Sequence, residues 1–531
     1  MRSSWVKRLF DWRAALLYTH RWLGIVAGLL FAAWFASGIV MMYARMPALA
    51  PEERLARLDP LDLSTVTIAP ADAARIGAAR GTNLQLFMLG RRPAYRLGGR
   101  GGRGGQVVYA DTGEAFAGLS EAAARDAARR YEPGYSGPLR EEARLTEPDQ
   151  WTLQARALMP MRRFALDDTA ATRLYVSDAS GEVVLRTTRR ERLLAYLGPV
   201  IHWVYFTPLR RNGPLWSEVI IWSSVAGCVM CIAGLVWGVL RFSPSARFNL
   251  KGARQRSPYL GWMKWHHYTG LVFGLVTLTW TYSGLLSMGP FGWFEPSAGP
   301  RGRRPPATAS ESLTSVSLER MRAAFATLSR DFPPKQLDLT QVRGRLFWAA
   351  DRPPGPDDAD RWRSPSLLPR APRPRLERRY VAASAPEEGT FDRFPSPLML
   401  ELARAQMPDV PVEDSTWLDG YDGYYYDSRG SLPLPVLRVR YADEAYTWLY
   451  VDPSRGAVVD RSQRITRVQR WLYQGLHSLD FPFLYYRRPL WDFTVIALSL
   501  GGLALSLTSI TDAWHRLKGH AARLTRRLRR S

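Results

Sequence analysis

The stretch HRWLGIVAGLLFAAWFASG, from His20 to Gly38, recurs 246 residues later as HHYTGLVFGLVTLTWTYSG, from His266 to Gly284. In this alignment Gly24 falls on Gly270, Gly28 on Gly274, Trp34 on Trp280, Ser37 on Ser283 and Gly38 on Gly284. Both stretches are apolar enough to cross a membrane, and each opens on a histidine. The chain therefore reads as a duplicated membrane protein in which the histidines are duplicated with the spans.

Charge-free apolar runs occupy Trp22 to Tyr43, Val219 to Leu240, Tyr268 to Met288 and Phe493 to Thr511, the last extended by Leu490 and Trp491. A bilayer core of about 30 Å needs about 20 apolar residues at helical rise. Only a helix crosses there without leaving backbone groups unpaired. Mean hydropathy is −0.21, so most of the chain lies outside lipid. A small-residue pattern at Ala48-Leu49-Ala50 resembles a signal-peptide cleavage site, but the first run is longer than a signal core and is expected to be retained.

Arginine and lysine crowd residues 1–21, the linker 241–265 and the tail 512–531, which together hold only two acids, Asp11 and Asp512. These segments are expected in the cytoplasm of a bacterial inner-membrane protein. The predicted order is a cytoplasmic N-terminus (1–21), a span (22–43), an outside segment (44–214), a span (215–240), a cytoplasmic loop (241–265), a span (266–289), a second outside segment (290–488), a span (489–511) and a basic cytoplasmic tail (512–531). The net charge of +24 sits largely beside spans and in no nucleic-acid-binding motif, so membrane lipid is the expected partner and nucleic acid is not.

A second repeat covers the outside segments. TRLYVSDASGEVV (Thr172 to Val184) aligns with TWLYVDPSRGAVV (Thr447 to Val459), His202 with His477, and Pro214-Leu215-Trp216 with Pro489-Leu490-Trp491. Over 160–216 against 435–491, 21 of 57 positions are identical, far above chance, so the repeat unit is span, outside domain, histidine, span. Parallel repeats of this kind are related by an axis along the membrane normal. Each outside segment reads as α+β. STVTIAPADAARIGAA is expected as strand then helix, with Pro70 at the helix start. NLQLFML, PAYRLGG and QVVY read as strands, SEAAARDAARRY as a helix capped by Ser120, and Thr172 to Val184 as a hairpin turning at Asp178 and Gly181. The Pro- and Arg-rich stretch 352–376 reads as an insertion. The fold class is thus membrane α-helical plus α+β, with four spans and two outside domains.

Five of the seven histidines are candidate ligands by position: His20, His202, His266, His267 and His477. His515, just past the last span, is a further candidate. A span separates the two levels by about 30 Å, so His20 can meet His266 and His202 can meet His477, but not across levels. Two symmetric imidazole pairs suit two bis-histidine b-type haems, His20, His266, His202 and His477 being the iron ligands. Gly24, Gly28, Gly270 and Gly274 would let helices or a flat macrocycle approach. Trp34 and Trp280 are candidates to pack on a porphyrin, with core packing as the alternative. Zinc would want further Cys, His or carboxylate ligands. Cys228 and Cys231 lie mid-span and read as packing residues. The apolar runs contain no Asp or Glu, which argues against a transporter.

These motifs resemble the PepSY-associated transmembrane family: the HRWLG-type opening, the Gly-rich run closing on Ser-Gly, Leu476-His477 with the looser Ile201-His202, and the turns Asp178 to Gly181 and Asp452 to Gly456. The resemblance implies PepSY-like outside domains in the periplasm and similarity to di-haem ferric-siderophore reductases. Such a protein would pass electrons outward to ferric iron in a periplasmic chelate. No flavin or dinucleotide motif is present, so an unidentified cytoplasmic reductase or quinol would be the donor. No residue is expected to act as a catalytic acid or nucleophile, since the cofactor carries the chemistry. His267 stands where the family has arginine, which leaves His266, His267 and His515 open as partners of His20. Rival readings are a PepSY scaffold or regulator of periplasmic proteins, in which the histidines are structural, and a transporter component. The tyrosine-rich stretch Asp419 to Asp427 is either an acceptor contact or a strand end.

Overall fold

The computed structural model describes residues 12–77, 83–98, 105–296, 311–313, 316–355, 376–426 and 432–528. The chain divides into two compact units. One comprises Met1–Arg45, Leu194–Glu295 and Ile465–Ser531, and the other Met46–Leu193 and Pro296–Arg464.

The first unit is built on four helices long and apolar enough to cross a membrane: span 1 (Trp12–Met41), span 2 (Gly213–Arg241), span 3 (Gly261–Leu286) and span 4, whose apolar part is Leu490–Thr511. They pack in a closed ring, 1 on 2, 2 on 3, 3 on 4 and 4 on 1. Every helix is longer than its charge-free run. Span 4 continues unbroken to Leu528, so the basic tail begins as helix. Span 2 starts at Gly213, with the Asn212 side chain accepting from the Leu215 amide, and it takes in Glu218. Span 4 takes in Asp492. The expectation that the spans carry no carboxylate is therefore corrected. Asp492 sits in the first turn of its helix and Glu218 in the second, and both are engaged locally. Trp222 Nε1 donates to Glu218 at 2.9 Å, and Arg488 and Tyr43 both reach Asp492.

Close helix approach rests only partly on the glycines the repeat singled out: a Cβ at Gly274 would meet Leu235 at 2.8 Å. A Cβ at Gly24 or Gly270 would meet nothing nearer than 3.7 Å. At Gly227, Gly234, Gly501 and Gly502 a Cβ would collide with Phe31, His20, Phe273 and Phe35 respectively. Those four positions admit an aromatic or imidazole ring against bare backbone.

Among the described residues the second unit contains three antiparallel sheets. In chain order its strands, together with one small hairpin between spans 2 and 3, are β1 (Leu84–Leu89), β2 (Arg92–Leu97), β3 (Gln106–Tyr109), β4 (Leu139–Leu145), β5 (Met161–Leu166), β6 (Arg173–Ser177), β7 (Val183–Thr187), the hairpin β8 (Phe248–Leu250) and β9 (Ala253–Gln255), β10 (Gln336–Val342), β11 (Arg345–Asp351), β12 (Arg378–Ala382), β13 (Val412–Leu418), β14 (Val436–Tyr441), β15 (Trp448–Asp452) and β16 (Ala457–Ser462). Two four-stranded meanders, β4 to β7 and β13 to β16, are each covered by one helix, Glu121–Tyr131 and Ser396–Gln406. The first helix is capped by Ser120, which accepts from the Ala123 amide. The hairpins β6–β7 and β15–β16 turn at Gly181 and Gly456, both with positive φ. Residues 64–69 form no strand ahead of the helix Pro70–Ile76.

The third sheet runs β12-β11-β10-β1-β2-β3, drawing three strands from each long segment. β1 pairs antiparallel with β10, Leu84 opposite Leu339 and Phe87 opposite Gln336. The two segments therefore share a sheet and are not two separate domains. The reason lies in β1 itself. LQLFML is buried along its whole length, so it lacks the polar face that an exposed sheet needs, and both its edges require partners. A polar network crosses the same join. Arg54 and Arg96 both pair with Glu182, Arg54 donates to Gln336 at 2.8 Å, and Gln85 donates to Asp338 at 2.7 Å. Most of the insertion 352–376 lies outside the described residues.

Candidate functional site

The histidines meet as the two repeats predict. The ring centres of His20 and His266 stand 6.0 Å apart, and those of His202 and His477 6.1 Å. They are called here the inner and outer pair, after the expected orientation. A metal–imidazole bond is about 2.0–2.1 Å, so two rings sharing one ion stand about 6 Å apart between centres.

What holds each ring also sets its tautomer. His20 Nδ1 lies 2.9 Å from the Met230 carbonyl, which can only accept, so the proton is on Nδ1. His202 Nδ1 donates to the Trp34 carbonyl at 3.1 Å and to Ser37 Oγ at 3.2 Å, since the Ser37 hydroxyl hydrogen goes to the Ala33 carbonyl. His477 Nδ1 donates likewise to the Trp280 carbonyl at 3.2 Å and to Ser283 Oγ at 3.1 Å. His266 Nδ1 lies 3.2 Å from Thr508 Oγ1, whose hydrogen goes to the Leu505 carbonyl. All four rings are protonated at Nδ1, and each presents the Nε2 lone pair that metal ligation uses. Anchoring the other nitrogen in this way orients the ring and raises its basicity. Among the described residues no cluster of three or more His, Cys, Asp or Glu side chains is found. Each pair thus offers two donors, which fits a metal whose remaining positions come from a macrocycle.

The backbone around each outer histidine is unusual in the same way twice. A single π-helical turn precedes it, Tyr196–Val200 before His202 and Trp471–Gly475 before His477. Two residues after it the chain enters the left-handed region, at Val204 and at Leu479, each with φ of 52°. π-turns and left-handed non-glycine residues concentrate at functional sites. Neither leaves a sequence signal that hydrophobic periodicity detects.

His267 is not a candidate ligand in this arrangement. Its Nε2 donates to the Gly238 carbonyl and its Nδ1 lies on Ser257 Oγ, both at 2.8 Å, so both nitrogens are spent tying span 2 and the loop after it to span 3. The side chain of His515 lies outside the described residues. Trp34 and Trp280 pack in the core between the spans, 5.5 Å from Phe31 and 5.9 Å from Phe35 between ring centres. Their role at the histidines runs through their carbonyls. Cys228 and Cys231 are free thiols.

The chain belongs to the PepSY-associated TM region family. A model of that family matches residues 17–347. No curated protein matches the chain. The match covers the His20 opening and both members of the inner pair, so the PepSY-associated assignment rests on the stretch that carries His20 and His266.

Sequence reasoning passed over Ser37, Ser283, Met230 and Thr508 as anchors. The first two were visible as repeat identities, whereas the last two sit on other helices and have no signal of their own. In the tyrosine-rich stretch, Tyr421 and Tyr425 donate to the Leu432 and Pro433 carbonyls, and Asp422 accepts from the Tyr424 and Tyr425 amides and pairs with Arg438. Those groups close a strand end. Asp427 lies outside the described residues.

Proposed function

We propose that this membrane protein is a duplicated di-haem electron-transfer protein of the bacterial inner membrane, one b-type haem on each histidine pair, reducing ferric iron on the far side. The carrying observation is the set of four imidazoles, paired at about 6 Å, each with Nδ1 tied to a protein acceptor.

Haem bound there would supply one-electron chemistry near both membrane faces. The chain does the rest. Met230, Thr508, Ser37 and Ser283 hold the four rings and keep their protons away from the metal-facing nitrogens. His20 and Ser37 lie on one helix, separated by about 25 Å at 1.5 Å per residue, so the pairs sit near opposite ends of the bundle. The overall change is one electron from a donor, a cytoplasmic reductase or quinol, onto Fe(III) of a ferric chelate such as a siderophore complex. The products are Fe(II) and the oxidised donor. Iron is substrate here, and the enzyme would be a ferric-chelate reductase.

The test is an absorption spectrum of detergent-purified protein, oxidised and dithionite-reduced, with a pyridine haemochrome count. Two low-spin b-type haems per chain support the proposal. A colourless protein from haem-replete cells would sink it and leave the scaffold reading.

A further inference from the structure

The repeat Pro-Leu-Trp, at Pro214-Leu215-Trp216 and Pro489-Leu490-Trp491, has no place in the histidine pairs themselves. Trp216 Nε1 donates to the carbonyl of Trp203 at 2.9 Å, and Trp491 Nε1 to the carbonyl of Ser478 at 2.9 Å. Each acceptor is the residue directly after an outer histidine. We propose that Trp216 and Trp491 are positioning residues, latches that hold the backbone of His202 and His477 so that the imidazoles face each other.

The local backbone explains why a latch is needed. The inner histidines sit inside unbroken helices, His20 in span 1 and His266 in span 3. Each outer histidine sits between a π-turn and a left-handed residue. Val204 is β-branched, and a left-handed conformation there is strained and persists only where surrounding contacts over-determine it. The indole bond supplies such a contact and ties the loop to the first turn of the following span.

The indoles are themselves clamped. The Arg210 guanidinium lies 4.6 Å from the Trp216 ring centre with Tyr205 edge-on at 5.1 Å. Arg488 lies 4.0 Å from the Trp491 ring centre with Tyr485 edge-on at 5.6 Å. These arginines and tyrosines do not correspond in the repeat alignment, so the same three-part clamp is assembled twice from different positions. Both indoles keep the same acceptor, one residue past the histidine.

The inference rests on the di-haem reading, and its test separates the two. Trp216→Phe and Trp491→Phe remove the indole donor and keep an aromatic ring. Trp222→Phe is the control, removing an indole bond to Glu218 on the same span as Trp216. The latch predicts two haems in each variant as purified. It predicts that the low-spin electron-paramagnetic signal lost in His477→Ala is shifted, and that this haem transfers to apomyoglobin about 10–100 times faster, the usual cost of losing an outer-shell partner. The other haem and the control stay as in wild type. Amide hydrogen exchange over 200–206 and 476–481 should rise in the two latch variants alone, a readout that needs no haem. Unchanged signal, transfer and exchange in both latch variants, or equal changes in the control, would overturn the latch and leave the di-haem reading standing. A wild type without haem overturns the di-haem reading, and with it the positioning role.

Discussion

His202 and His477 depend on atoms that belong to other helices, and this sets what single substitutions should do. His477→Ala should remove one of two haems and leave the other's reduced spectrum unaltered. His267→Ala should keep both haems, because both nitrogens of that ring are spent on Gly238 and Ser257, and should lower thermal stability instead. A haemochrome count on the two variants checks this contrast, and loss of a haem in His267→Ala would mean that the inner pair is misassigned. Ser283→Ala leaves His477 Nδ1 with only the Trp280 carbonyl and should weaken haem retention at the outer site by about tenfold. Gly234→Ala places a methyl group in the His20 ring, so it should disturb the inner signal and spare the outer one.

Among the elements, the span ring shows how packing discriminates between glycines that look alike in sequence. Gly502→Ala forces its methyl group into Phe35 and should cost about 1–3 kcal/mol, as overpacking does. Gly24→Ala, whose nearest neighbour would stand at 3.7 Å, should be neutral or slightly stabilising, since alanine is the better helix former by about 1 kcal/mol. Melting of the two purified variants compares them directly. Equal losses would show that spans 1 and 4 do not meet at Gly502. The same logic explains β1, where continuous burial demanded a partner on each edge and found one in the other segment.

For the molecule as a whole, the charged join between the two long segments sets an acid dependence. Burial opposes ionisation of Glu182, but Arg54 and Arg96 outweigh it and hold its carboxyl below the usual range. A depressed carboxyl contributes stability above its unfolded pKa and loses it as pH falls through the folded value. Burial pushes Asp338 up, with Arg378 opposing. Its contribution is therefore full below the unfolded pKa and lost as pH rises. Glu182→Gln should cost about 3–5 kcal/mol at pH 7 by leaving two arginines without their carboxylate, and the deficit should shrink near pH 4. Asp338→Asn should be neutral or stabilising at pH 7. Denaturant titrations followed by tryptophan fluorescence at both pH values decide it, and a deficit for Glu182→Gln that grows in acid would reverse the assignment.

The sequence by itself determined the four spans, the pairing of His202 with His477, the end of the bundle at which His20 finds its partner, and most strands. Those depend on hydrophobic runs, alternation and repeat register, which are local in the chain. Only the tertiary structure decided that the two long segments share one sheet, because β1 and β10 lie some 250 residues apart and pairing between distant strands leaves no periodic trace. It also decided between His266 and His267. Both sit on span 3, and the choice depends on which ring finds Thr508 and which finds Gly238 and Ser257. The tautomers follow the same rule: a proton on Nδ1 is set by a carbonyl or hydroxyl brought in from another helix, a contact that exists only once the spans have packed.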